Sequence, residues 1–155
     1  MQSTSGGNTT MSEASVGPVS YQKEFAPFWR ELAKHHLSFP YCASCDKFHW
    51  YPLKRCPFCL TEAIEWARIS GDARLYSWTI VHHRFDPDSG PDVPYIIALL
   101  EFPDAPGIRL VSNLLEVDAA ELEVGMALVP SFERHPPPTE AGTHPGLSFR
   151  PAIGR

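Results

Sequence analysis

All four cysteines of this 155-residue chain lie in one short stretch. Cys42 and Cys45 form one Cys-x-x-Cys pair, Cys56 and Cys59 form a second, and ten residues separate the two pairs. A Cys-x-x-Cys turn presents two sulfurs from one tight loop, so two such turns that face each other supply a tetrahedron of thiolates. The intervening residues suffice for a short hairpin that brings the turns together. The spacing therefore predicts a metal site with four cysteine ligands.

The predicted site has the spacing of a zinc ribbon or a rubredoxin-type knuckle. Zinc is the favoured metal, because closed tetrahedral thiolate sites are the common structural zinc pattern, and iron fits the same ligands. Four protein ligands leave no open coordination position, so we expect a structural metal and not a catalytic one. A disulfide within each pair would close almost no chain, and a thioredoxin-like motif uses only one such pair.

The charge is divided unevenly along the chain. Residues 21–84 carry nine Lys and Arg against six Asp and Glu, whereas residues 85–155 carry four against eleven. The acidic half would attract a long nucleic-acid tract poorly, while a small anion held by a few cations suits the basic half. No apolar run approaches the length of a membrane-spanning helix, and residues 1–20 lack the apolar core of a secretory signal. With reduced cysteines, this pattern predicts a cytoplasmic protein.

The sequence predicts four segments. Residues 1–20 are rich in Ser, Thr and Gly and are expected to be a disordered tail. An N-terminal helix is predicted within residues 21–38, the zinc ribbon within residues 39–68, and a β domain over residues 69–155. The helix is expected to reach residue 37, because aromatic and aliphatic residues recur at three- and four-residue steps. Its regular part is expected from Ala26, since Pro27 suits a first turn.

The last segment reads as β structure. Strands are predicted over residues 73–83, 95–102, 108–117, 126–134 and 147–153. The run YIIALLEF is continuously apolar, as in a strand that is covered on both sides. One helical turn capped by Asp118 is predicted over residues 118–123. Five short strands after a helix and a ribbon predict a mainly β protein that ends in a small Greek-key barrel of the OB type.

The sequence contains no nucleophile elbow, Walker loop, dinucleotide fingerprint or zinc-protease motif. With the cysteines bound to metal, no thiol remains as a nucleophile. His82 and His83 are adjacent on a predicted strand, so their side chains are expected on opposite faces. We therefore predict no catalytic residue in this chain.

Several motifs follow one another in a characteristic order. The aromatic segment FAPFWRELAKHHL leads into PYCASC and WYPLKRCPFC, and LYSWTIVHH, VPYIIALLEF, GIRLVSNL and VGMALVPSFE come after them. This order resembles the acyl-CoA-associated zinc-ribbon and OB-fold family, long catalogued as a domain of unknown function, over residues 21–153. Such proteins often carry a Gly-rich stretch before the first barrel strand, where this chain has Gly71, Asp72 and Ala73.

The resemblance implies an accessory subunit of a thiolase-superfamily enzyme that acts on acyl-CoA thioesters. Partners in the family include acyl-CoA thiolases, side-chain-cleaving aldolases and hydroxymethylglutaryl-CoA synthases. The partner would supply the groups for thiolytic or aldol-type carbon–carbon cleavage or formation, for example in the degradation of aromatic compounds or sterol side chains. The small subunit would complete the assembly and, as in some members, help to hold the CoA.

A CoA molecule offers phosphates and an adenine ring to such a subunit. Basic side chains bind phosphates and aromatic side chains stack on adenine. The cationic candidates are Arg30, Lys34, Lys47, Lys54 and Arg55. The stacking candidates are Trp29, Phe48 and Trp50. For each basic residue, the alternative interpretation is a solvated surface charge.

Two other functions remain open at this point. OB barrels and zinc ribbons commonly bind single-stranded nucleic acid, and salt-dependent binding of an oligonucleotide would support that function. A rubredoxin-like electron carrier would be coloured, whereas a zinc protein is colourless.

Overall fold

A computed structural model of the chain describes residues 22–84, 92–132 and 146–152. Its elements are α1 (Gln22–Leu32), β1 (Leu37–Cys42), β2 (Lys47–Phe48), β3 (Ile64–Ile69), β4 (Ala73–Val81), β5 (Tyr95–Phe102), β6 (Ala105–Leu114), a 3₁₀ turn (Ala119–Glu121), β7 (Ala127–Ser131) and β8 (Ser148–Pro151). No helix in these three ranges is long and apolar enough to cross a membrane. The tail predicted over residues 1–20 lies outside the described residues.

Five strands close into a barrel in the order β4-β5-β6-β8-β7. Strands β6 and β8 run parallel, and the other neighbours in the barrel run antiparallel. The pairs β4–β7 and β7–β8 close the barrel, and its interior is filled by alternate residues such as Ile96, Ala98, Leu100 and Phe102 of β5, which are buried. This mainly β architecture, with one helix, a ribbon and an OB-type barrel, confirms the predicted fold class.

The barrel strands follow the predicted order with different bounds. Strand β5 spans the predicted residues, whereas β6 begins three residues before the predicted 108–117. The turn before β6 lies earlier than expected, because Phe102 pairs with Ala105 and leaves only Pro103 and Asp104 between the strands; the Asp104 side chain accepts a hydrogen bond from the backbone N–H of Ser70 at 3.2 Å. Strand β4 ends at Val81, so the prediction that placed His82 and His83 on a strand was wrong. The predicted cap was correct, as the Asp118 side chain accepts from the Ala120 amide at 2.8 Å.

Helix α1 begins earlier and ends earlier than the sequence predicted. Pro27 lies inside the helix and not at its start, and Phe25 in the first turn is held by Trp50 at a ring distance of 5.4 Å. The helix ends at Leu32, because His35 adopts a left-handed conformation with φ 60° and turns the chain into β1. The amphipathic pattern continued past this reversal, so periodicity alone extended the helix too far.

The ribbon contains a three-stranded sheet in the order β2-β1-β3. The sequence predicted a short hairpin between the cysteine pairs but did not predict these three strands. Pro40 lies within the central strand β1. The carbonyl of Pro40 accepts from the His49 amide at 3.0 Å, so the position that lacks an N–H also faces the β2 side, beyond the last residue pair of that ladder, Tyr41 with Phe48.

An aromatic series joins the ribbon to the barrel. The ring of Phe39 in β1 lies 6.5 Å from Phe28 of α1 and 5.1 Å from Phe102 of β5, and Phe102 lies 6.0 Å from Phe149 of β8. Phe39 and Phe149 are fully buried. Helix, ribbon and barrel therefore share one hydrophobic core.

Candidate metal centre and adjoining clefts

The two Cys-x-x-Cys turns have the same local geometry. In the first turn, the amide of Asp46 donates to the carbonyl of Cys42 at 2.9 Å, and Asp46 has φ 57°. In the second turn, the amide of Leu60 donates to the carbonyl of Cys56 at 2.9 Å, and Leu60 has φ 63°. In both cases the left-handed residue follows the second cysteine and turns the chain back, which leaves both sulfurs of each turn on its inner side.

The four sulfurs form a compact cluster. The Sγ atoms of Cys42 and Cys59 are 3.6 Å apart, those of Cys45 and Cys56 are also 3.6 Å apart, and all four lie within 4.8 Å of one another. A tetrahedral site with zinc–sulfur bonds of about 2.3 Å requires sulfur–sulfur distances of about 3.8 Å. The cluster has the dimensions of a filled four-thiolate site, and the predicted metal ligands are brought together.

Protonation of these thiols is unequal. Burial raises the pKa of Cys45 to about 12, with hydrogen bonds from the neighbouring cysteines adding to the effect. Burial also raises the pKa of Cys56, but the amides of Cys59 and Phe58 offset it and bring the value to about 6. The Phe58 amide donates to the Cys56 sulfur at 3.4 Å. A divalent cation would stabilise this cluster as thiolates, because it would replace the protons that the closely spaced thiols otherwise share.

The predicted phosphate-binding cations are dispersed. Lys34 pairs with Glu31 at 2.8 Å, Lys54 with Glu24 at 3.9 Å, and Arg55 with Glu62 at 2.9 Å. Arg30 is exposed on α1 and has no ion pair within the ranges that the structure describes. Lys47 has no acidic partner in those ranges either, and its Nζ lies 4.8 Å above the ring of Phe58.

Lys47 belongs to a cleft of about 640 Å³ between the ribbon and the barrel. Phe48 and Trp50, two of the predicted stacking residues, also line this cleft. Pro106 and Gly107 of β6 form its barrel side. The sequence analysis missed the barrel side, because residues about 60 positions away from Lys47 carry no local signal that links them to it.

The remaining predicted residues lie elsewhere. Lys54 lines a separate cleft of about 430 Å³ beside α1. Trp29 and Trp50 line an apolar cleft of about 440 Å³ between α1 and strands β5 and β6. Lys34 shares Glu31 with Arg68 of β3, which donates to the same carboxylate at 2.6 Å, so the Arg68–Glu31 pair links β3 to α1 and Lys34 adds a local contact. The structure therefore groups Lys47, Phe48 and Trp50 and separates them from Lys34, Lys54 and Arg55.

A ribbon with four clustered thiols joined to a five-stranded OB barrel defines a zinc-ribbon and OB-fold protein. Residues 29–65 match the family described as the ChsH2 rubredoxin-like zinc ribbon domain, and residues 66–133 match the ChsH2 C-terminal OB-fold domain. The chain belongs to this ChsH2 family, also named DUF35, which confirms the resemblance identified from its motifs.

Two named relatives share part of the chain. It is 33% identical over 103 residues to a probable enoyl-CoA hydratase alpha subunit of Thermomonospora curvata, a match that covers 66% of this chain and 31% of the relative. It is 29% identical over 103 residues to a DUF35 domain-containing scaffold protein of Pyrococcus furiosus, which covers 64% and 71%. The chain thus spans about a third of the length of the first relative.

Two solved structures have the same fold. A chain of the Ltp2-ChsH2(DUF35) aldolase superposes with a TM-score of 0.68 at 27% identity, over 83% of this chain and 94% of that one. A DUF35 family protein from Sulfolobus solfataricus superposes with a TM-score of 0.59 at 20% identity, over 83% and 85%. The second likeness supports the fold alone.

Proposed function

We propose that this chain is a non-catalytic accessory subunit of a thiolase-superfamily enzyme that acts on acyl-CoA thioesters in the cytoplasm. The observation that carries the proposal is the likeness to a chain of the Ltp2-ChsH2(DUF35) aldolase over nearly all of that chain's length. The names of the two relatives, a hydratase subunit and a scaffold protein, point in the same direction. The partner would carry out thiolytic or aldol-type carbon–carbon chemistry.

The contacts of two histidines are consistent with an accessory role. His49 is buried, and its Nδ1 lies 3.0 Å from the carbonyl oxygen of Tyr51. His35 stacks on Phe132 with the ring centroids 5.0 Å apart. Among the described residues, neither ring is hydrogen-bonded to a serine or a thiol, as a general base that activates a nucleophile would be. The proposal places the catalytic groups on the partner.

Co-expression with a thiolase-like protein tests the accessory role. We expect the two chains to co-purify as a stable complex, and activity on a panel of β-keto and β-hydroxy acyl-CoA esters to require both. A partner that is fully active alone and does not bind this chain would refute the proposal. Metal analysis of the same preparation tests the proposal that the metal is zinc, since an iron-loaded site would be coloured.

We propose that the contribution of this chain to CoA binding is centred on Lys47. This lysine forms no ion pair with a described carboxylate, and it lies in one cleft with Phe48 and Trp50; Asp46, which also lines the cleft, accepts a hydrogen bond from the hydroxyl of Tyr41. An ammonium group beside aromatic faces suits a phosphate next to an adenine ring. Lys34, Lys54 and Arg55 are occupied by carboxylates of this chain, which lowers their capacity to bind a further anion.

A pair of matched variants tests this assignment in the assembled complex. Lys47→Gln is expected to raise the KM for acyl-CoA about tenfold, which corresponds to the loss of one charged contact of about 1.4 kcal/mol. Lys34→Gln removes the same charge from the helix–ribbon junction and is expected to leave the KM unchanged. Equal effects of the two variants would show that net charge matters and that the cleft does not.

A further inference from the structure

Strand β4 has an edge that is open over half its length. Strand β5 covers one edge throughout, from Arg74 to Val81. On the other edge, β7 pairs only with Ala73 and Arg74, and the last contacts are the two hydrogen bonds of Leu75 with the chain at residues 125 and 126. Beyond a bulge in the ladder between residues 75 and 77, residues 77–81 have no second strand beside them within the described part of the chain.

A bulge next to Tyr76 precedes this edge, and residues 77–81 carry no other common protection against strand pairing within the described part of the chain. Natural edge strands are blunted by charged residues, by proline or by a covering element. Residues 75–81, with the sequence LYSWTIV, contain neither a charged residue nor a proline. Trp78, Ile80 and Val81 remain half-buried and Thr79 is exposed. An uncharged edge of aromatic and β-branched residues is a template for another strand.

Two described arginines near the edge are paired with carboxylates. Arg84 is paired with Asp92 at 2.5 Å, and Arg109 is paired with Glu101 at 2.9 Å on the outer face of the same sheet. Among the described residues, these two arginines therefore leave no unpaired positive charge beside the edge, and residues 77–81 are themselves uncharged.

The sequence of the edge is complementary to itself. In an antiparallel pair centred on Thr79, Trp78 of one copy lies opposite Ile80 of the other, and Ser77 lies opposite Val81. The two copies of Thr79 face each other at the centre. Aromatic with β-branched residues and threonine with threonine are favoured cross-strand pairs. Trp78 and Ile80 pair with Ala98 and Ile96 of β5, so they share the inner face of the sheet with those buried residues.

We propose that the open edge of β4, residues 77–81, pairs antiparallel with the same edge of a second copy of this chain, about a two-fold axis at Thr79. Such an interface is isologous and closes at two copies. It is distinct from the cleft around Lys47, which lies between the ribbon and the start of β6. The inference goes beyond the proposed function and does not rest on it, because it concerns self-association without any partner.

Sedimentation velocity of the full chain over a range of concentrations tests the pairing. The wild-type chain is expected to shift from the mass of one chain to that of two. Thr79→Lys and Thr79→Glu would each place two like charges opposite each other and weaken the dimer. An equimolar mixture of the two variants would place opposite charges together, and its dissociation constant should be about tenfold lower than that of either variant alone.

The variants Ser77→Lys and Ser77→Glu are the matched controls. Ser77 lies opposite Val81 in the proposed register, so mixing these two variants should not restore association. Circular dichroism verifies that each variant is folded. A wild-type chain that stays monomeric would overturn the proposal, as would a dimer that is insensitive to both Thr79 variants. Restoration by the Ser77 pair and not by the Thr79 pair would also overturn it.

Discussion

Loss of one metal ligand should unfold the whole molecule and not only the ribbon. Cys56→Ser removes a fully buried sulfur from the four-thiolate cluster. A structural zinc site of this kind contributes about 10 kcal/mol or more to folding, whereas the net stability of a domain is about 5–15 kcal/mol. We therefore expect the variant to bind less than one metal equivalent and to unfold at a much lower urea concentration than the wild-type chain.

The hydrophobic core that the ribbon shares with the barrel determines how much of the chain unfolds when the metal is lost. If the ribbon separates from the barrel, four buried side chains become exposed to solvent, namely those of Phe28, Leu32, Leu37 and Phe39. Burial of each contributes about 1.5–3 kcal/mol, so the four together amount to about 6–12 kcal/mol. Because this sum is comparable to the whole net stability, we expect one cooperative transition and no surviving barrel.

Metal analysis and urea unfolding followed by circular dichroism measure both effects. Ser44→Ala is the matched control, since it changes an exposed residue of the same turn that is not a ligand. In a co-expressed complex, the yield of Cys56→Ser complex should fall before the turnover per assembled complex changes. A variant with full metal content and normal unfolding would refute this reasoning. Two separate transitions in the metal-free chain would show that the core is not shared.

Phe39→Ala should lower the free energy of unfolding by about 3–5 kcal/mol, whereas Phe58→Ala, at a side chain that is 56% exposed, should change the urea midpoint little; similar effects would contradict the core assignment. Hydrogen bonds from Lys34 and Arg68 lower the pKa of Glu31 from 4.5 to about 2. The contribution of this carboxylate to the free energy of unfolding is therefore present above pH 4.5 and is lost as the pH falls towards 2. Glu31→Gln should remove this pH dependence from the urea midpoint. A midpoint–pH profile that is unchanged in the variant would refute the contact. Gly71→Ala, where φ is +89° and an added Cβ would lie 3.0 Å from the Cγ of Pro130, should destabilise the chain by more than Gly107→Ala. At Gly107, φ is +87° and an added Cβ would have no atom within 4 Å, so Gly107→Ala should cost only the backbone strain of about 1–2 kcal/mol. Equal melting temperatures for the two variants would refute the clash at Gly71.

The sequence was most informative where a local rule dictates the structure. The spacing of the cysteines predicted the sulfur cluster, because a Cys-x-x-Cys turn fixes its own geometry. The apolar run from Tyr95 to Phe102 predicted β5 to the residue, since proline and turn residues bound it on both sides. Asp118 predicted the 3₁₀ turn because a side-chain cap is also a local interaction.

Other features depended on contacts that are distant in the sequence. The end of α1 is determined by the left-handed conformation of His35, a residue that periodicity assigned to the helix. Strand β1 contains Pro40, which argues against a strand unless the pairing pattern is known. The cleft around Lys47 is also lined by Gly107 of the barrel, and no pattern in the sequence predicts that these two residues lie close together.

The predicted metal ligands and the proposed CoA contact are neighbours in the structure, and this would give the ribbon a role in function without chemistry of its own. Lys47 lies directly opposite Cys42 in the pairing of β2 with β1. A filled metal site therefore fixes the strand that carries Lys47, while the barrel fixes the other side of the cleft. Losing the metal should abolish fold, assembly and acyl-CoA affinity together, whereas losing the Lys47 charge should lower acyl-CoA affinity alone. The metal would then act by holding the lysine in position, and the bond-breaking steps would remain with the partner.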